Sequence, residues 1–234
     1  MVVSINQPAY LPWLGYYHRI ALSDVFVLLN HVQFEKNSFT NRNKIRTAQG
    51  WCWLTIPLKT SGKFGELNID SIQIEESNWT KKHLETIRMN YSKCTYFNEY
   101  FPQLSELYQQ KWTYLSPMLE EMNQMFLGWL GIKTRILKSS DLGIESKKSD
   151  LVLDICKFCK ADTYFSGSLG RNYLNQADFR SAGIEVVFQE YHHPVYSQRY
   201  PGFESYMGIV DLLMNHGKDS LNILMEGNNQ LKMS

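Results

Sequence analysis

Two short stretches at opposite ends of the chain concentrate the residue types that could do chemistry. The first is Gln7-Pro8-Ala9-Tyr10-Leu11-Pro12-Trp13-Leu14-Gly15-Tyr16 and the second is His193-Pro194-Val195-Tyr196-Ser197-Gln198. Proline removes a backbone donor and glycine lowers local order, so both are read as shaped loops. Aromatic loops rich in side-chain donors and acceptors suit a pocket for a sugar, a base or an acyl group, because each ring offers an apolar face and a polar tip.

Two further stretches carry polar chemistry. Ser166-Gly167-Ser168-Leu169-Gly170-Arg171 directly follows an expected strand, where open α/β sheets place ligand contacts. Gly167, Ser168 and Arg171 could hold a phosphate or carboxylate through backbone N–H groups and a forked side chain, although a glycine-rich turn is more often only a turn. In the run from Gln33 to Arg46, the cations Lys36, Arg42, Lys44 and Arg46 interleave with the amides Gln33, Asn37, Asn41 and Asn43 and with two phenylalanines. That mixture can bind anionic oxygen while stacking a planar ring, and it is equally the composition of a solvated loop with Asx turns. Cys156-Lys157-Phe158-Cys159 invites a redox or zinc reading. Apolar residues recur there at helical spacing and no second cysteine pair is near, so the pair is assigned to a helix face and no metal is expected.

The elements that must position these loops alternate between strand and helix. Val2 to Ile5, a helix over Tyr16 to Leu22 and a strand from Asp24 through Leu29 form a unit that generates parallel sheet. A strand pair is expected from Trp51 to Leu58 and Ile69 to Ile74, with Gly62 and Gly65 marking the loop between them. Leu84, Ile87 and Tyr91, and then Leu115, Leu119, Met122, Phe126 and Trp129, fall on helical stripes, with Ser116-Pro117 read as an N-cap and first-turn proline where two helices meet. Strands return at Thr134 to Leu137, Thr163 to Phe165 and Ile184 to Phe188. The expectation is therefore one α/β domain over residues 1–234, mainly parallel sheet with flanking helices and a helical segment at about 79–130.

Composition excludes several classes. The 234 residues are 44% hydrophobic and 20% charged, far from disorder, and 24 Lys and Arg against 23 Asp and Glu provide no bulk field for nucleic acid or membrane. Even the most apolar run, Val25 to Leu29, is too short to span a bilayer, and the start lacks a signal peptide's pattern. Cys52, Cys94, Cys156 and Cys159 are too few and scattered for a secreted disulfide framework. A cytoplasmic protein is expected.

The ordered set of motifs resembles the WbqC-like protein family. Gln7 to Tyr16, Asp24-Val25-Phe26-Val27, Val32-Gln33-Phe34, Asn41-Arg42-Asn43 and His193-Pro194-Val195-Tyr196 with Gln198 carry the resemblance. It continues through Trp79 to Leu84, Tyr164 to Gly167, and Ile209 to Gly217, and so covers nearly the whole chain. The family is associated with gene clusters for O-antigen and other surface polysaccharides. Members often carry acidic residues where this chain has Asn30-His31, and serine near Gly208; an acid lost at the first position would matter if it served as a metal ligand or general base.

The resemblance and the residues together imply a step in making an activated sugar, with transfer of a small acyl or aminoacyl group to an amino sugar. The expected partners are a nucleotide sugar and an acyl or aminoacyl donor; the sequence names no cofactor. His193, with an unperturbed pKa near neutrality, is the candidate base, and Tyr196 and Gln198 orient it or the substrate. Gln7 and Tyr10 are assigned to sugar hydroxyls, Trp13 to an apolar ring face, and Arg42 or Arg171 to a phosphate. Two other classes remain open. One is adenylate chemistry by fold-level analogy; the other is a noncatalytic nucleotide-, carrier- or RNA-binding module using Lys36, Arg42, Lys44 and Arg46.

Overall fold

A computed structural model of the chain describes residues 1–61 and 67–228. β1 (Val2–Asn6) runs through the proline-rich loop into α1 (Leu14–Ala21) and returns as β2 (Val25–Leu28), parallel to β1 with Val3 opposite Val25. A separate antiparallel hairpin follows, β3 (Arg42–Thr47) and β4 (Gly50–Thr55), and then three helices, α2 (Trp79–Tyr91), α3 (Phe97–Gln109) and α4 (Leu115–Leu130). The alternation resumes with β5 (Arg135–Lys138), α5 (Lys148–Phe158), β6 (Thr163–Ser166), α6 (Gln176–Ser181) and β7 (Glu185–Phe188), and the described chain closes on α7 (Ile209–His216) and α8 (Ser220–Met225).

The main sheet is wholly parallel, in the order β5-β2-β1-β6-β7. The chain steps outward from the central β1 through β2 to β5, then crosses back to lay β6 and β7 on the other side. Successive side chains of a strand face opposite ways. Phe26 and Leu28 accordingly join the core formed with α1, the α2–α4 segment and α7, while Val25 and Val27 join a second core with Leu151, Val152, Ile155 and Phe179 from α5 and α6. Two-sided burial explains why β2 reads as an unbroken apolar run. Cys156 belongs to that second core, fully buried on α5. No helix among the described residues is long and apolar enough to cross a membrane.

Local details correct the sequence reading in two places. β4 pairs with Arg42–Thr47, not with Ile69 to Ile74, which meets Leu58 only through a single bridge to Ile74. The polar composition of residues 42–47 conceals a strand whose Asn43 and Ile45 are buried. Gly62 and Gly65 lie outside the described residues. The junction of helices falls at residues 110–114, and α4 starts at Leu115 with Tyr114 as the preceding cap residue. Ser116 therefore sits inside the first turn, where its Oγ donates to Glu120 Oε1 at 2.7 Å.

Two histidines are sunk in the helical core. His83 meets the Tyr10 hydroxyl through Nδ1 at 2.8 Å, and His18 accepts from Gln189 Nε2 at 2.9 Å and meets the Asn228 carbonyl at 2.7 Å. Burial lowers the pKa of His83 to about 4 and moves His18 the same way. The unfolded chain takes up these protons near the ordinary histidine value, about 6.5, whereas the folded chain resists them. Stability is thus complete above that value and is lost as pH falls toward about 4. For His83 the difference amounts to about 3 kcal/mol. Calorimetric melting of His83→Gln should therefore show a shallower loss of stability than the parent between neutrality and acid, and an unchanged slope would remove His83 as a source of it.

Candidate functional site

In an open parallel sheet, ligands collect beyond the carboxyl ends of the strands where the strand order reverses, because the flanking connections there leave in opposite directions. Here that point lies between β1 and β6. A cavity of about 960 Å³ opens there. Asn6 at the end of β1 and Gln7 to Ala9 after it enter its wall, as do Ser166 at the end of β6, Gly167 to Arg171 after it, and Gln189 to His192 after β7. Trp13, Tyr16 and Arg19 enter from the start and length of α1, Phe39 and Lys44 come from the hairpin side, and Tyr206 completes the rim.

The loop after β1 is held by its backbone. Leu11 adopts φ 44, a conformation uncommon for a branched side chain. Asn43 Nδ2 donates to the Leu11 carbonyl at 2.6 Å, Tyr10 N–H to the Phe39 carbonyl at 3.0 Å, and Ile209 N–H to the Pro12 carbonyl at 2.8 Å. Gly208 passes so close that a Cβ there would lie 2.7 Å from the Leu11 oxygen. Trp13 is then free to fold its indole over Gly15, which has no room for a Cβ, and to meet the rings of Tyr191 at 5.4 Å and Tyr206 at 5.7 Å.

Arg19 is the electrostatic peculiarity of the cavity. It is only 6% exposed, no carboxylate pairs with it among the described residues, and its Nε has no hydrogen-bond partner. Its guanidinium lies against Gly167, where a Cβ would come within 2.7 Å of Nη1. Burial lowers its pKa, opposed by the nearby Tyr164, Tyr16 and Tyr173. An uncompensated buried cation costs several kcal/mol. The other cations of the wall are differently placed: Arg171 pairs with Glu190 at 2.9 Å and lies over Phe188, and Lys44 Nζ lies 4.2 Å from the Trp51 ring centre.

A family model described as WbqC-like protein family matches residues 7–223. The chain belongs to the WbqC-like protein family. It is 32% identical over 220 residues to the uncharacterized protein Rv1507c of Mycobacterium tuberculosis (strain ATCC 25618 / H37Rv), an alignment covering 93% of this chain and 95% of the relative. No solved structure matches it.

Of the residues singled out in the sequence, this WbqC-like protein brings Gln7, Trp13, Gly167, Ser168 and Arg171 together around the cavity. Tyr10 does not line it; its hydroxyl is buried against His83 and the Tyr108 hydroxyl. Asn41 donates to the Ile56 carbonyl at 2.8 Å and Asn43 to that of Leu11, so both fasten the hairpin. Arg42 turns back on its own loop, donating to Asn37 at 3.1 and 2.7 Å under the Trp53 ring, and Gln33 is exposed beside Asn68. Asn30 is buried among Ser139, Ser140, Ser116 and Glu120, and His31 Nδ1 meets Ser139 Oγ at 2.6 Å, a polar cluster outside the cavity lining.

The second motif also sits behind the cavity wall. His193 donates from Nδ1 to the Pro194 carbonyl at 2.9 Å and accepts the Tyr206 N–H at Nε2 at 3.2 Å, so both ring nitrogens are engaged. Tyr196 and Gln198 donate to the Asp211 carboxylate at 2.9 and 2.8 Å. Burial raises the pKa of Asp211, and those two donors oppose the rise. Neighbouring residues, Gln189 to His192 and Tyr206, do reach the cavity, as does Arg19, none of which the sequence singles out, and Tyr16 reaches it from the end of the first stretch. What sets Arg19 apart is visible only in the structure: seven of the eight residues of α1 are buried, unlike those of an amphipathic surface helix. Because both His193 contacts fix the 193–206 turn, His193→Ala should lower unfolding stability in urea by about 1–3 kcal/mol; full stability would show that the turn holds without it.

Proposed function

We propose that this protein is a transferase that places a small acyl or aminoacyl group on the amine of an activated, nucleotide-linked amino sugar during surface-polysaccharide synthesis. The observation that carries the reading is the cavity at the strand-order reversal, which combines aromatic faces, amide and hydroxyl groups and a glycine-serine loop in one space. The family's association with surface-polysaccharide gene clusters supports the pathway. Trp13 packs an apolar sugar face, and Gln7 and Ser168 hydrogen-bond its hydroxyls. The amine nitrogen attacks the donor carbonyl, a C–N bond forms, the donor's leaving group departs, and a base takes the amine proton. In this reading the base is His192, since it faces the cavity, and His193 positions it by fixing the turn.

A specific observation keeps the binding-module reading as the second. Phe39, Trp51 and Trp53 are 51%, 43% and 38% exposed, with Arg42 4.5 Å from the Trp53 ring centre and Lys44 4.2 Å from that of Trp51. Such a platform stacks bases or other rings beside anionic groups. Nucleotide-linked amino sugars incubated with coenzyme A thioesters or aminoacyl donors should yield a product heavier by the transferred group. His192→Gln should reduce its rate by about two to four powers of ten at unchanged melting temperature, and Trp13→Ala should chiefly raise KM. Absence of product with every pair, together with steeply salt-dependent binding of a single-stranded oligonucleotide, would replace the transferase with the binding module.

A further inference from the structure

The cavity holds more positive charge than the protein uses. Arg19, Lys44 and Arg171 face it, and among the described lining residues the one carboxylate is that of Glu190, which already pairs with Arg171. Arg19 lies deepest, 6% exposed, and has no carboxylate partner among the described residues. One turn earlier on the same helix, Tyr16 also lines the cavity; it is 1% exposed and its hydroxyl has no hydrogen-bond partner among the described residues. Gly167 gives the guanidinium its space, because any side chain would begin 2.7 Å from Nη1.

A buried forked cation whose Nε has no hydrogen bond and a buried hydroxyl donor that also has none among the described residues, both on one cavity wall, are groups suited to take their counterpart from a ligand. A single carboxylate would balance Arg19 alone. The additional cations at the rim fit a group with more than one negative charge and several acceptor oxygens. We infer that Arg19 and Tyr16 form the receptor for the diphosphate of a nucleotide-linked ligand, with Lys44 and Arg171 beside its outer oxygens. This rests on reading the cavity as a substrate site, and it names the class of group that anchors the substrate there. The sugar then lies toward Trp13 and Tyr206, because the phosphates occupy the Gly167 side.

The test uses inorganic pyrophosphate, nucleoside diphosphates, the matching nucleosides and acetate as separate probes, read by thermal shift and calorimetry. Pyrophosphate and the diphosphates are expected to stabilise the parent chain, with the nucleosides and acetate giving smaller shifts. Arg19→Met should weaken the phosphate probes at least tenfold. Its unliganded melting temperature should equal or exceed the parent's, because the variant removes an uncompensated buried charge. Arg19→Lys should also lose affinity, since lysine keeps the charge but not the planar fork, and Gly167→Ala should lose it by displacing the guanidinium.

Equal pyrophosphate affinity in the parent, Arg19→Met and Arg19→Lys would overturn the inference. So would a fall of several degrees in the melting temperature of unliganded Arg19→Met with affinity retained, which would make the arginine structural. Acetate binding as tightly as pyrophosphate and depending on Arg19 would make the site a carboxylate receptor instead. Arg19-dependent diphosphate binding without group transfer to any amino sugar would sink the transferase and support this inference. Normal product formation by Arg19→Met would do the reverse.

Discussion

A parallel sheet covered on both faces can open to solvent only at its ends, and this constraint governs where chemistry can occur in the chain. Helices α1 to α4 cover one face and α5 and α6 the other, so the inner strands β1, β2 and β6 are buried along most of their length. Between β1 and β6 the connections diverge, and the crevice left there is the cavity. Most residues that reach it do so from a strand end, from the helix following β1, or from a loop pressed against that end, with Lys44 added from the hairpin. The position of the site thus follows from strand order before any side chain is considered.

The loops around the cavity are then fixed by polar residues whose work is structural. Asn43 holds the Leu11 carbonyl, Gly208 permits the backbone to pass beneath it, and Asp211 gathers Tyr196 and Gln198 below the second loop. His193 spans its own turn from Pro194 to Tyr206. These hydrogen bonds satisfy groups that burial would otherwise penalise, and they hold Trp13, Tyr191, His192 and Tyr206 at the cavity. The contrast with Arg19 is physical: Asn43, His193, Tyr196 and Gln198 have hydrogen-bond partners, whereas the buried Arg19 of the cavity wall has no carboxylate partner among the described residues.

The alternation of strands and helices was legible because Val2 to Ile5, Val25 to Leu28 and the α5 stripe carry strong apolar periodicity. The hairpin partner was not, because Arg42–Thr47 is almost entirely polar by composition and takes its register from Trp51, Trp53 and the buried Asn43 and Ile45. The cavity was legible from the first loop and from Gly167, Ser168 and Arg171, which lie directly beyond strand ends. Sequence alone could not show that His193 faces Pro194 and Tyr206, since residue type is the same for a histidine that moves protons and one that ties a turn. Arg19 was hidden for the opposite reason: arginine is ordinarily solvated, and only the burial of nearly all of α1 sets this one apart.

On the inference drawn above, the strand-order reversal in this WbqC-like protein holds an anionic ligand at Arg19. A crystal structure of the protein soaked with a nucleoside diphosphate tests it most directly. Phosphate density is expected beside Gly167, with an oxygen about 2.7–3.2 Å from an Arg19 Nη atom and the nucleoside reaching toward the aromatic rim. Density for the diphosphate outside this cavity, or an Arg19 guanidinium paired with a protein carboxylate, would contradict it.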